Sequence, residues 1–246
     1  MPKAFSVSDV PDLTTEQMVE VDRAMIEDYR IGLIQMMENA GRNLAHLART
    51  RFLDGDPRGR PVVALAGGGG NGGGALVAAR RLSNWGANVT VVLGQAPSAM
   101  TPVPGHQLDI LSRMGVRIVA NGMPPAAPSP AVVLDGLIGY SLAGAPFGRI
   151  AELIRWANSL DAPILALDAP SGVDATTGIA FDPAIRAAAT MTLALPKRGL
   201  RVPDVSALVG ELYLADISVP PGLYGRAPLG LSVEPVFALD DILRIG

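Results

Sequence analysis

The feature that most restricts the fold of this sequence is a run of glycines from Gly67 to Gly74, interrupted only by Asn71. The run follows the short apolar segment 61–66, which is typical of a strand buried on both faces, and it precedes a helix predicted through residues 76–85. Glycines let the backbone approach an anion closely, and the free N–H groups at a helix start can bind it. This context favours a phosphate-binding loop in an α/β protein. The alternative is a tight turn without a ligand.

The glycine loop does not fit the standard nucleotide-binding motifs. The spacing G-x-G-x-x-G is met from Gly67 to Gly72, but Gly94 and Gln95 stand at the end of the next strand, where an acidic residue would hold a ribose. No Lys-Ser or Lys-Thr pair follows the glycines, which excludes a Walker A loop. A generic dinucleotide-dependent oxidoreductase is therefore a weak interpretation.

The rest of the chain alternates between strand and helix patterns. Two helices come first, one beginning near Thr14 and Thr15 and one from about Leu33 to Phe52. Further strands are predicted at 88–93, 117–120, 131–135, 163–168, 188–195 and 210–215, with helices at about 105–114 and 149–159. Segment 121–130 is predicted to be a connecting loop, and segment 219–228 a surface segment before a short terminal helix. This alternation predicts one α/β domain over residues 1–246, with a parallel sheet between helical layers.

Composition excludes several classes of function. Hydrophobic residues make up 49% of the chain and charged residues 17%, which is typical of a packed globular protein. The net charge of −3 without a basic run argues against a nucleic-acid partner. There are no cysteines, which excludes disulfides and thiolate metal sites. We find no secretory leader and no apolar stretch of about 18 residues, so we expect a cytoplasmic protein without a membrane partner.

Two carboxylates, Asp135 and Asp168, stand at the carboxyl ends of predicted strands. In open parallel sheets, ligands bind outside the carboxyl ends of the strands, so an Asp there is well placed for function. Either one alone could simply cap the next loop. Together with the glycine loop at a third strand end, they favour a functional site.

Oxygen-bearing side chains accompany these carboxylates. The turn after Asp168 contains Pro170 and Gly172, which allow Ser171 to direct its hydroxyl and carbonyl groups back toward the site. Ser171, Asp135 and the amide of Asn71 are hard oxygen donors, a set that suits a hard cation better than zinc.

Two further segments have weaker signals. The small-residue loop 139–145 follows Asp135 and either closes over a ligand or merely leads into the next helix. Lys197 and Arg198 follow a strand and could meet a phosphate, but we interpret them as a solvated strand end.

Five segments, taken in order, resemble the YjeF N-terminal domain family, the NAD(P)H-hydrate epimerases. They extend over about residues 15–217, and although each is weak alone, their order makes the resemblance specific. The segments are 37–41 (MENAG), the glycine loop within 66–80, 133–139 (VLDGLIG), 167–174 (LDAPSGVD) and 195–200 (LPKRGL).

The resemblance implies a fold and an activity. The fold is a Rossmann-like three-layer αβα sandwich with a mainly parallel sheet, often found as a homodimer. The activity is the interconversion of the R and S hydrates of NADH and NADPH, an isomerase reaction for nucleotide repair. A partner dehydratase, here expected to be a separate chain, acts downstream on the repaired epimer.

The resemblance also implies roles for individual residues. Asn71, Asp135 and Ser171 are expected to hold a potassium ion, which the family uses as its cofactor. Contacts to the substrate are expected from the glycine loop, from the loop after the fourth strand and from one carboxylate: Gly70, Asn71, Gly72, Gly73, Gly74, Gly139, Tyr140, Ser141, Leu142, Ala143, Gly144, Ala145 and Asp168.

This sequence departs from the family pattern at several positions. The family loop usually reads GPGNNGGDG, whereas Gly68, Gly70, Gly74 and Ala75 replace its Pro, first Asn, Asp and last Gly. In the second loop, Ala143 stands where Lys or Ser is common. These changes leave open an alternative function, a catalytically inactive scaffold that binds a nucleotide or a protein partner. An unrelated nucleotide-dependent enzyme explains fewer residues.

Asp168 is the candidate catalytic residue. Epimerisation at the hydrated ring carbon requires the hydroxyl to leave and return on the other face, with the ring nitrogen supplying electrons to an iminium-like intermediate. An acid must protonate the departing hydroxyl, and a base must later take a proton from the returning water. A carboxyl at a strand end beside the glycine loop is placed for both steps.

Overall fold

The computed structural model of the protein describes residues 10–123 and 129–246. Within these ranges the helices are α1 (Thr15–Glu27), α2 (Leu33–Phe52), α3 (Gly70–Asn84), α4 (Pro102–Arg113), α5 (Gly148–Asn158), α6 (Ser206–Val209) and α7 (Pro221–Tyr224). The strands are β1 (Pro61–Ala66), β2 (Asn88–Leu93), β3 (Arg117–Val119), β4 (Val132–Gly136), β5 (Ile164–Leu167), β6 (Ala189–Leu193), β7 (Glu211–Ala215) and β8 (Ile242–Arg244).

The first two helices begin where their capping residues predict. The Thr14 hydroxyl accepts a hydrogen bond from the Gln17 N–H at 3.2 Å, and the Thr14 N–H donates to the Gln17 side chain at 2.9 Å. This reciprocal capping box satisfies two backbone donors that the helix start leaves free. Helix α2 follows Gly32 and has the predicted bounds.

The strands form one sheet in the order β3-β2-β1-β4-β5-β6-β7-β8. All neighbouring pairs are parallel except β7 and β8, which confirms the predicted mainly parallel sheet. The strand order reverses between β1 and β4, where Leu65 pairs with Asp135. A crevice is expected beyond the carboxyl ends of the strands at such a reversal.

Helices cover both faces of the sheet, as the three-layer sandwich requires. Side chains of α2, α3 and α4, including Leu44, Leu76 and Leu111, pack on one face. Leu153 and Ile154 of α5 pack on the other. Helix α1 joins a separate apolar cluster with segments near the carboxyl end of the chain.

The carboxyl-terminal segment differs from its prediction. The prediction of a short terminal helix was wrong, because residues 242–244 form strand β8 instead. This strand pairs antiparallel with β7, and Leu243 lies opposite Leu214. The unpaired backbone groups of an edge strand favour such pairing. Segment 219–228 is not wholly a surface segment either, since Leu223 and Tyr224 are buried.

Two smaller points concern α4 and the loop before β4. Helix α4 begins three residues earlier than predicted, because Pro102 occupies its first position after Thr101. The predicted connecting loop at 121–130 lies partly outside the described residues. In the part of the chain that the structure describes, no helix combines the length and apolar character needed to cross a membrane.

Candidate active site

A cavity of about 430 Å³ opens at the carboxyl ends of β1, β4 and β5. The sheet side of its wall consists of the glycine loop, the loop after β4 and the end of β5, and α1 and α2 form the opposite side. The lining is largely apolar, with a few polar groups. The sheet side contributes Gly69, Gly70, Asn71, Gly139, Tyr140, Ser141, Leu167 and Asp168, and the two helices contribute Met18, Asp22, Ile26, Leu33, Met36, Met37 and Ala40.

The start of α3 faces this cavity. The loop is held to the sheet by a 3.0 Å hydrogen bond from the Gly67 N–H to the Gly136 carbonyl. Gly69 is the N-cap residue of α3 and offers no side-chain cap, and both Gly69 and Gly70 are exposed. The first N–H groups of a helix have no partner within it and carry a partial positive charge. The position that the sequence predicts for an anion therefore lies in the cavity wall, and anion binding there stays a prediction.

The later glycines of the run lie behind this wall. Gly72, Gly73 and Gly74 are buried in the first turns of α3. A Cβ atom at Gly72 would overlap the Gly67 carbonyl, and one at Gly73 would overlap the Met37 sulfur. Close packing therefore requires glycine at these positions. Contact between these three glycines and a substrate stays a prediction.

Gly74 has a specific neighbour in the cavity wall. A Cβ atom there would lie 2.7 Å from Leu167 Cδ2 and 3.7 Å from Ala40 Cβ. Leu167 therefore occupies the space that a side chain at position 74 would need.

Asp135 and Ser171 form one buried unit. The Ser171 hydroxyl and N–H donate to the two Asp135 carboxylate oxygens at 2.7 Å and 2.8 Å, and the Leu137 N–H donates at 3.2 Å. The Ile138 N–H donates to the Ser171 hydroxyl at 2.9 Å. The turn after β5 thereby brings Ser171 back to the end of β4, as the sequence predicts.

The negative charge of Asp135 has no basic partner among residues 10–123 and 129–246. Burial raises the pKa of Asp135 to about 6, and the hydrogen bonds from Ser171 and Leu137 oppose this effect. A buried carboxylate without a counter-charge is costly. A hard monovalent cation beside these oxygen donors would supply the missing charge, so the residues present fit the implied ion.

Asn71 lies close to this unit but next to a different carboxylate. The Asn71 amide and Asp168 Oδ2 both lie against Gly139, where a Cβ atom would be 3.1 Å from Asn71 Cγ and 2.9 Å from Asp168 Oδ2. Within the described residues, the buried Asn71 Nδ2 has no hydrogen-bond partner. An unsatisfied buried amide is rare in folded proteins and is consistent with a ligand position.

Asp168 is held from two sides at the end of β5. Its backbone is left-handed, with φ of 67°, which turns the chain sharply after the strand. Asp168 Oδ2 accepts a 2.8 Å hydrogen bond from the Tyr140 N–H, and Asp168 Oδ1 lies 2.7 Å from the Lys197 ammonium. A non-glycine residue with this backbone is strained and is often functional.

The sequence interpretation of Lys197 was wrong. Lys197 is fully buried, pairs with Asp168 and donates a 2.6 Å hydrogen bond to the Leu193 carbonyl. Arg198, by contrast, is exposed as predicted. The partner of Lys197 comes from another strand end 29 positions earlier, a pairing that no local pattern reveals.

A second acidic group, Asp22 on α1, was missed by the sequence analysis. Its carboxylate accepts a 2.6 Å hydrogen bond from the Tyr140 hydroxyl inside the cavity. Burial raises the pKa of Asp22, although the Tyr140 hydrogen bond opposes this effect, and burial likewise raises the pKa of Tyr140. An acid among Met18, Val21 and Met25 on the buried side of a helix was the available signal.

The loop after β4 divides between two spaces. Gly139 and Tyr140 line the main cavity, whereas Leu142, Ala143, Gly144 and Ala145 line a second crevice with Gly94 and Gln95. Ser141 lines both spaces. The structure thus brings Gly70, Asn71, Gly139, Tyr140, Ser141 and Asp168 together in one cavity, but it places 142–145 beside that cavity.

Comparisons with known proteins give the family and the fold of this chain. The sequence model of one family, described as YjeF-related protein N-terminus, matches residues 33–199. The crystal structure of the yeast protein ynu0 superposes with a TM-score of 0.78 over 96% of this chain and 100% of its own. At 23% identity, that likeness shows a common fold.

Curated relatives cover nearly the whole chain. An NAD(P)H-hydrate epimerase from Dehalogenimonas lykanthroporepellens is 47% identical over 93% of this chain and 91% of its own length. Another from Cenarchaeum symbiosum is 36% identical over 85% of this chain and 96% of its own. The bifunctional NAD(P)H-hydrate repair enzyme Nnr of Salinibacter ruber is 36% identical over 88% of this chain, which spans 42% of that protein.

Proposed function

This chain belongs to the family of YjeF-related N-terminal domains, and from that premise we propose that it is an NAD(P)H-hydrate epimerase. The reaction interconverts the R and S hydrates of NADH and NADPH. The observation that carries the proposal is the position of Asp168, held by Lys197 and by the Tyr140 N–H at the wall of a cavity that the start of α3 also faces. Relatives of that name match this chain along nearly their full length.

The cavity suits the two chemical parts of such a substrate. The N–H groups at the start of α3 can bind phosphate oxygens, because the positive end of the helix dipole faces the cavity. The apolar side chains of α1 and α2, including Met18, Met36 and Met37, can enclose the reduced nicotinamide ring. The reacting carbon would then lie near Asp168.

Asp168 accepts the proton that the returning water loses in this reaction. The hydroxyl of the hydrate leaves as water while the ring nitrogen donates its lone pair to the ring carbon. A water molecule then adds on the opposite face and loses a proton. A carboxylate whose geometry is fixed by an ion pair and a backbone hydrogen bond is prepared for this transfer without reorganisation.

Potassium is the cofactor we propose for Asn71, Asp135 and Ser171. The support is chemical: all three side chains offer oxygen ligands, and within the described residues the charge of Asp135 has no basic partner. The ion would contribute positive charge near the phosphates and would tie together the loops after β1, β4 and β5.

The proposed context is a cytoplasmic homodimer that works with a separate dehydratase. The bifunctional relatives support a dehydratase activity linked to epimerisation. The substrate is a damaged form of cofactors used inside cells, which supports the location. The family resemblance supports the dimer, and Val19, an exposed apolar residue of α1 that does not line the cavity, offers surface for it.

The inactive scaffold is the second candidate, and the absence of a carboxylate at Gly74 favours it. The space at Gly74 is filled by Leu167, so the loop is packed rather than disrupted. The buried pair of Asp168 and Lys197 favours an enzyme instead, because a binding scaffold has no evident need for two desolvated charges at its cavity.

A coupled assay separates these candidates. Pure R-hydrate of NADPH is mixed with an S-specific dehydratase and potassium, with and without this protein, and NADPH absorbance is followed. We expect recovery to be accelerated by orders of magnitude. Nucleotide binding without any acceleration would favour the scaffold.

A further inference from the structure

Tyr140 links two acidic groups of the cavity. Its hydroxyl donates to Asp22 at 2.6 Å, and its N–H donates to Asp168 at 2.8 Å. Its carbonyl accepts a 3.2 Å hydrogen bond from the Thr15 hydroxyl, which fixes the loop to the start of α1. Asp22 reaches the cavity from α1 and Asp168 from the end of β5, so the two carboxyl groups belong to different walls.

The two acids have different environments. Asp168 is ion-paired with Lys197 at 2.7 Å, whereas among the described residues no basic side chain forms a salt bridge with Asp22. Burial raises the pKa of Asp22, and the negative charge of Asp168 adds to this, while Tyr140 and the more distant Lys197 oppose it. Burial raises the pKa of the Tyr224 phenol on α7, and the negative charges of Asp216 and then Asp22 add to this. Two carboxyl groups in such different environments, here Asp22 and Asp168, can serve as general acid and general base respectively.

We propose that Tyr140 and Asp22 form a second proton-transfer unit, which protonates the departing hydroxyl while Asp168 accepts the proton of the returning water. The assignment rests on the proposed epimerase function. Epimers differ in the ring face that bears the hydroxyl, so departure and return require proton transfer on two sides. Helix α1 supplies Asp22 on one side of the cavity, and the end of β5 supplies Asp168 on the other. Asp22 lies outside the residues 33–199 that match the family model.

The proton balance of the reaction closes. When Asp22 is protonated, the 2.6 Å hydrogen bond reverses and the Asp22 carboxyl donates to the Tyr140 oxygen. Tyr140 then gives its hydroxyl proton to the leaving group as Asp22 passes its proton to the Tyr140 oxygen. The C–O bond breaks, water is released, and the nitrogen lone pair forms the C=N bond. A second water attacks the other face, Asp168 takes its proton, and the C=N electrons return to nitrogen. One proton has moved from Asp22 to Asp168, and exchange with solvent restores both groups.

The test compares Tyr140→Phe and Asp22→Asn with the wild-type protein, using separated R- and S-hydrates and chromatographic detection. Tyr140→Phe keeps the ring and removes only the hydroxyl. We expect each variant to lower kcat at least 100-fold, within the range of about 10²–10⁴ for a general acid, with KM changed less than about threefold. The double variant should be no slower than the slower single variant, because the two residues act as one unit.

The pH profile separates a chemical role from a structural one. Asp22 must carry a proton to act as the acid. Wild-type kcat should therefore fall as the pH rises and the Tyr140–Asp22 unit loses that proton. This basic limb should disappear from the residual activity of Asp22→Asn. Glu20→Gln is the matched control, because Glu20 lies on the same helix and pairs with Arg23 at the surface. Its kcat and pH profile should match the wild type.

The outcomes are distinct. An active wild-type protein with Tyr140→Phe and Asp22→Asn both within threefold of its kcat overturns this assignment and leaves the epimerase proposal intact. Reduced activity that keeps the basic limb in Asp22→Asn also overturns it, since the loss would then be structural. A wild-type protein that interconverts no hydrate overturns both proposals.

Discussion

At the scale of single residues, the site depends on charges that are removed from water. Lys197 is fully buried and Asp168 nearly so, and each is the other's counter-charge at 2.7 Å. Removing one partner of such a pair leaves an uncompensated buried charge, which costs more than the pair itself contributes. The sequence predicts Asp168 as a functional residue because it ends a strand. Lys197 could not be predicted, because its pairing depends on how β5 and β6 align.

Lys197→Met should therefore lower the free energy of unfolding by about 3–5 kcal/mol, since it leaves Asp168 buried without its partner. Asp168→Asn should destabilise the protein similarly, by leaving the Lys197 ammonium alone. The double variant should recover most of the loss, as measured by urea denaturation. Strictly additive losses in the double variant would show that the two side chains do not interact.

Asp168→Asn should also lower kcat for epimerisation by about 10²–10⁴-fold, because the amide cannot take up the proton of the returning water. The measurement is the rate of S-hydrate formation from R-hydrate by protein that is shown to be folded. Asp161→Asn, a change at an exposed surface position, should retain full activity. Full activity in Asp168→Asn would remove this residue from the mechanism.

At the scale of elements, α2 and α3 approach each other closely through glycines. A Cβ atom at Gly41 would overlap the Val77 side chain and the Gly74 carbonyl. Close approach of α2 to α3 positions Met36 and Met37 opposite the glycine loop in the cavity wall. Periodicity predicted the bounds of α2, but it carries no information on which glycines serve helix packing.

Gly41→Ala should destabilise the protein by about 1–3 kcal/mol through overpacking, despite the helix propensity gained. Gly105→Ala is the matched control, because Gly105 lies in α4 with no atom within 4 Å of its Cβ position. That variant should be stabilised by about 0.5–1 kcal/mol. Denaturant titration of both proteins tests this pair, and equal effects would contradict the packing argument.

Helices and strands that form from local sequence patterns could be predicted, whereas features that depend on contacts with distant residues could not. The parallel strands are short segments rich in apolar residues, bounded by turn residues, so the sequence located the strands from β1 to β7. β8 could not be predicted, because its stability comes from pairing with β7 rather than from its own short pattern. Asp22 was missed for a related reason, since only the docking of α1 brings it to Tyr140.

At the scale of the whole molecule, the sheet gathers its functional loops at one edge. At that edge lie Asn71 in the first turn of α3, Asp135 in β4 and Ser171 in the turn after β5, and α1 and α2 close the cavity from the other side. A cation among these donors would bind the folded state alone and stabilise it by mass action.

Potassium chloride should accordingly raise Tm relative to choline chloride at equal ionic strength. Asp135→Asn should abolish that difference, because the variant lacks the charge that attracts the ion. Asp204→Asn, at an exposed position, should retain it. An equal potassium-dependent rise in the wild type and in Asp135→Asn would place the ion elsewhere.

The most direct test of the account is epimerisation of pure R-NADPH hydrate in ¹⁸O-labelled water, with the products separated by chromatography and weighed by mass spectrometry. The account predicts that the protein forms S-hydrate orders of magnitude faster than the protein-free solution, and that the new hydroxyl carries ¹⁸O because the original one left as water. S-hydrate that keeps its original oxygen would contradict departure and return of the hydroxyl. No S-hydrate above the protein-free rate would contradict the epimerase function itself.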